Sequence, residues 1–163
     1  MSVQTSYEIN HEPLLAGMVS KQQPHNITSK LNKTGATIVY GKGLVSDGNE
    51  AGKLPTGSET DDSTFVGVAM YELNRAKLPD ETVEGHPTDY DMSVCPFGVV
   101  AVKTLVNVVK DDKVFLRVGA TDKGDFSNVV GSGATLGVEV SNAKFVSSAS
   151  AGDVVLVSFG IGG

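Results

Sequence analysis

The chain has no tryptophan, one cysteine in 163 residues, and aromatic side chains at only 6%. A lone Cys95 cannot close an internal disulfide, and between Val94 and Pro96 it reads as a small buried apolar side chain rather than a nucleophile. With no Trp, 4 Tyr and 6 Phe, the aromatic platforms that a sugar-binding module displays are scarce. Lys and Arg total 13 against 19 Asp and Glu, for a net charge of -6, and the cations are scattered. No basic patch exists to hold a phosphate backbone, so nucleic acid is not an expected partner. Long apolar runs are missing too. Residues 14–18 are shorter than the roughly 7 to 15 residues of a secretory signal's apolar region, and nothing approaches the roughly 20 residues of a membrane span. The expectation is a protein made in the cytoplasm that stays soluble there, with no membrane partner.

What the chain does have is glycine, 19 residues of it, and an ordinary 40% of apolar residues over a length that can bury its own core. That mixture predicts many short strands joined by turns. "ATIVYGKGLV" (36–45) crowds β-branched residues, with Gly41 and Gly43 marking a bend or bulge. "TFVGVAMYEL" (64–73) alternates as a second strand, covered on part of both faces. In "FGVVAVKTLVNVVKDDKVFLRV" (97–118) two apolar runs flank "KDDK", which reads as a hairpin turn. "TLGVEV" and "DVVLVSF" supply the closing strands. Three polar stretches, 46–63, 74–91 and 119–133, read as exposed loops. The fold class expected is all-β, a compact β-barrel or sandwich-like domain over 34–163, preceded by an extended N-terminal arm over 1–33.

No group of residues assembles a nucleophile, a base and an orienting partner, so no enzymatic site is expected. His11, His25 and His86 fall in the arm and in a charged loop, where solvated histidines are the ordinary case, and their spacing fits no metal site. "DKGDFSN" (Asp122, Asp125, Asn128) and "SDGNE" (Asp47, Asn49, Glu50) offer oxygen ligands beside glycines, but neither has the spacing of a calcium loop, and turn chemistry accounts for both. The acidic pairs Asp61 with Asp62 and Asp111 with Asp112 read as solvated turns. "GKGLVSDG" and "GSGATLG" lack the following helix whose N-terminus would hold a phosphate. No cofactor, metal or small-molecule substrate is expected.

Five segments in order, "YEINHEPLLAGMVS", "IVYGKGLV", "FVGVAM", "FGVVAVKTLVNVVKDDKVFLRV" and "TLGVEVSNAKFVSSASAGDVVLVSFG", span most of the chain. Together they resemble the structural cement, or head decoration, proteins of tailed bacteriophages. The stretch 72–91 departs from that pattern in being more charged. The resemblance implies a virion protein on the outside of the assembled capsid, often a homotrimer near local three-fold positions, that locks neighbouring major capsid subunits together. A carbohydrate- or surface-binding β module of a phage fibre, and a calcium-dependent binding domain, remain the alternatives.

The arm carries the candidate contact residues Tyr7, Ile9, Pro13, Leu14, Leu15 and Met18. Pro13 cannot donate to a strand ladder and holds Glu12 extended, which suits an arm better than a central strand. About 20 extended residues reach up to roughly 65 Å, far enough to touch another chain, either a sibling copy or a capsid subunit. The competing expectation is that Leu14, Leu15 and Met18 fold back onto their own domain.

Overall fold

In the computed structural model, residues 15–20, 23–48, 50–72 and 83–160 are described. They form eleven strands: β1 (Asn26–Asn32), β2 (Ile38–Val39), β3 (Gly43–Ser46), β4 (Ala51–Lys53), β5 (Phe65–Ala69), β6 (Gly85–His86), β7 (Asp91–Lys103), β8 (Lys113–Arg117), β9 (Phe126–Ser127), β10 (Gly137–Phe145) and β11 (Val154–Phe159). The fold is all-β. Nine of the strands make one sheet in the order β1-β4-β3-β5-β7-β11-β10-β8-β9, and β1 also pairs with β7, which closes the first half into a barrel. β2 and β6 form a separate two-stranded ribbon.

β7 joins the two halves. Its first part, up to Phe97, faces β1 and β5, while Gly98 to Lys103 runs against β11 with Gly98 opposite Phe159 and Lys103 opposite Val154. The changeover falls at Gly98, where φ is +141° and a Cβ would sit 2.7 Å from the Cβ of His25, so the bend admits no side chain. Inside, valine does most of the filling. Val68, Val100, Val102, Val114, Val155 and Val157 pack with Phe126, Phe145 and Phe159 in the main cluster, and Ile38, Leu44, Met92 and Val94 form a smaller one. Burying each such side chain contributes about 1.5–3 kcal/mol. β-branched residues suit the pleat because one χ1 well already dominates there.

Several expectations need correcting. The stretch 97–118 is not a hairpin: β7 and β8 are not neighbours, and β11 and β10 lie between them. Residues 109–112 do turn, but Asp111 N donates to Phe145 O and Phe145 N to Asp112 O, so the turn is tied to the end of β10. The three polar stretches also hold sheet. β4 lies in 46–63, parallel to β1, β6 lies in 74–91, and β9 lies in 119–133 with both residues buried. Strands of two or three residues carry no periodicity to read. Inside the stretch read as arm, residues 26–32 form β1 and pair along β7. The bend expected in 36–45 is the turn at Tyr40 and Gly41, where φ is +79°.

Candidate interaction surfaces

The segment before β1 is stitched to its own domain. Gly17 N donates to Ala101 O (2.7 Å), Ala101 N to Met18 O (2.8 Å) and Ser20 N to Val99 O (2.8 Å), while Tyr71 N donates to Gly17 O (3.0 Å). Val19 bridges Val100, and β1 then continues antiparallel on β7 from Asn26 opposite Phe97 to Leu31 opposite Asp91. Residues 17–20 and 26–32 therefore both run along β7. Gly17 is what lets three backbones meet: its φ is +88°, and a Cβ there would lie 2.7 Å from Tyr71 N, 2.8 Å from Ala69 O and 3.0 Å from Gly41 N. Gly41 meets Ala16 just as closely, its own Cβ position being 2.6 Å from that of Ala16.

The candidate contact residues thus separate. Met18 is half-buried in the anchor and Leu15 is 50% exposed at its outer end. Tyr7, Ile9, Pro13 and Leu14 lie outside the described residues. The anchor itself is intramolecular, which is the competing expectation for Met18.

His86, read as a solvated loop histidine, is fully buried. Its ring stands edge-on to Tyr40 (centroids 5.0 Å), Nε2 is 2.9 Å from Met70 O, and Nδ1 is 3.7 Å from Glu72 Oε1. Ring packing outweighed the charged sequence around it. His25 is exposed, with Nδ1 3.1 Å from Gln23 O; His11 lies outside the described residues. In "DKGDFSN", Asp125 turns inward and pairs with Lys42 at 2.8 Å, its carboxyl raised by burial and lowered again by the Lys42 ammonium. Asp47 pairs with Lys53 at 2.7 Å. The Ser63 hydroxyl, and then Ser63 N donating at 2.9 Å, hold the Asp61 pKa below the usual carboxylate value, and Asp62 accepts from Ser141 N at 2.6 Å. Asp112 is also lowered, by donation from Val109 N and then from Asn128 Nδ2. Among the described residues, no three His, Cys, Asp or Glu side chains converge as a metal site. Cys95 is buried, donates to Phe97 O at 3.2 Å, and has its thiol pushed up by burial.

The surface also carries valines that the sequence reading passed over. Val109, Val129 and Val130 are 62%, 47% and 51% exposed. Asp112 Oδ2 draws them together, accepting from Val109 N (2.9 Å) and from Asn128 Nδ2 (2.7 Å). A run of polar loop residues around each valine hid the cluster, because only the fold brings 109 beside 128.

The comparisons match this architecture. A family model described as "Structural cement protein (E217 gp24/Pam3 gp6)" matches residues 3–160. The chain belongs to the phage structural cement protein family. A chain of the solved structure "The capsid of Myoviridae Phage XM1" superposes on it with a TM-score of 0.72, covering 99% of each chain at 23% identity. That likeness shows shared fold. No curated protein matches the chain. The family is a structural one, associated with the phage capsid and virion. Among the described residues, no helix is long and apolar enough to cross a membrane.

Proposed function

We propose that this cement protein binds the outer surface of the assembled capsid as a homotrimer and ties neighbouring major capsid subunits together, with its N-terminal arm making the contact. The supporting observation is the anchor at residues 16–20: it fixes one end of the arm on a closed barrel and leaves Leu15 facing solvent. A clip needs a rigid body and a tether with a fixed origin, and the closed barrel and the anchored residues 16–20 support that reading. No reaction is needed, because holding an intact lattice is itself stabilising. A ligand that binds only the assembled shell favours it by about 2.7 kcal/mol per site at roughly a hundredfold excess over Kd. The gain repeats over every site of the shell. A trimer bound through one arm also offers the other two at high effective concentration.

The test uses purified expanded heads that lack the protein. The full chain is expected to co-sediment with them and to raise the temperature at which they release DNA. A chain without residues 1–14 is expected to lose most of both effects while keeping the melting transition of its barrel. If the shortened chain decorates heads as well as the full one, the arm is not the contact.

A further inference from the structure

Arg117 ends β8 and is only 5% exposed. Its backbone is fully used, with N donating to Asp125 O and O accepting from Gly124 N. Its guanidinium is not: Nε and Nη1 are buried and have no hydrogen-bond partner among the described residues. Asp125, the one buried carboxylate among the described residues, is taken by Lys42 at 2.8 Å. A buried guanidinium with two nitrogens unpaired is costly to keep, and it persists where something else supplies an acceptor.

The cover over this cation is thin. Residues 129–135 are all exposed, and a Cβ on Gly131 would meet Thr135 O and, at 2.5 Å, Nη1, so the exposed Gly131 packs directly on the guanidinium beside the Thr135 carbonyl. Beside that glycine stand the exposed Val129 and Val130. A desolvated arginine with an apolar rim is the anatomy of a protein-binding hot spot, and its chemical complement is a carboxylate flanked by apolar side chains.

The sequence of the arm contains that complement twice. Glu8 stands between Tyr7 and Ile9, and Glu12 precedes Pro13 and Leu14. We propose that Arg117 receives a carboxylate, Glu8 or Glu12, from the N-terminal arm of a second copy of this chain, whose apolar neighbours cover Val129 and Val130. The inference rests on the arm reaching another chain, as proposed above. The anchor and the receptor lie on connected ground: Ala16 meets Gly41, Lys42 follows and pairs with Asp125, and Arg117 bonds to Asp125. Fourteen extended residues reach up to roughly 46 Å, enough to cross to a neighbour. Each copy gives one arm and receives one, and in the homotrimer proposed above that exchange runs head to tail around the ring.

Sedimentation velocity of the full-length chain and its variants, run beside head co-sedimentation, tests this. Arg117→Met and the double variant Glu8→Gln/Glu12→Gln are each expected to weaken self-association about tenfold or more, as loss of a desolvated charge pair does. Arg117→Met should melt no lower than the parent, because it removes a buried charge without leaving one behind. A parent chain that stays monomeric, or an Arg117→Met chain that associates as the parent does, overturns the inference. If Arg117→Met associates normally yet fails to decorate heads, the inference is overturned and the acceptor lies on the capsid. If removing residues 1–14 leaves both association and decoration intact, the arm reading falls as well; if it abolishes both while Arg117→Met abolishes neither, only the Arg117 assignment falls.

Discussion

Replacing Gly17 by alanine should free the arm anchor without unfolding the barrel. The added methyl would face three backbone atoms, Tyr71 N at 2.7 Å, Ala69 O at 2.8 Å and Gly41 N at 3.0 Å, none of which can rotate away. Holding an L-residue at φ +88° costs about 1–2 kcal/mol, and overpacking against fixed neighbours adds about 1–3 kcal/mol. The opposing quantity is what holds the anchor. Four backbone hydrogen bonds join residues 17–20 to Tyr71 and to the Val99–Ala101 stretch of β7, and at about 0.5–1.5 kcal/mol net each they supply about 2–6 kcal/mol. The two sums are comparable, so the cheapest relief is release of the segment. Amide hydrogen exchange reads this directly. In Gly17→Ala the amides of Tyr71 and Ala101, which donate to Gly17 O and Met18 O, should exchange at least tenfold faster, while β11 amides keep their protection. Gly35→Ala is the control, because Gly35 has φ +75° but nothing within 4 Å of its Cβ position, so it carries the backbone strain alone. Equal exchange at Tyr71 and Ala101 in the two variants would refute the steric argument.

Lys42→Met should lower stability by about 3–5 kcal/mol, since it strands the Asp125 carboxylate, and a second change of Asp125 to Leu should restore most of the loss, both measured by urea unfolding. Asp125 also sets a sign for pH: burial raises its native pKa above 3.8, so between that value and the native pKa the folded state holds the proton more tightly, and this residue's contribution to stability falls as pH rises through the window. Asp125→Asn should remove that component from the pH dependence of the melting temperature. Phe126→Ala, at a fully buried ring stacked edge-on against Phe159 at 5.8 Å, should cost about 3–5 kcal/mol in the same unfolding assay.

The sequence by itself determined the strands that alternate over five or more residues. Phe65–Ala69, Gly98–Lys103 and Val154–Phe159 are legible because apolar residues at every second position, or β-branched residues in a run, favour the pleat whichever strand lies alongside. The bend at Gly41 and the burial of Cys95 follow from local chemistry in the same way. Partner choice does not. β7 pairs with β11, some fifty residues on, in preference to the adjacent β8, because closing a longer loop costs only logarithmically more while the buried faces of Val100, Val102, Val155 and Val157 repay it. Only the tertiary structure decided that polar stretches hold β4, β6 and β9, that His86 belongs to the interior, and that Ala16 and Gly17 fasten the arm to its own barrel. It also decided that Val109 stands beside Asn128 and that Arg117 is buried beneath Gly131. Those placements join residues far apart in the chain, and no local propensity encodes such a meeting.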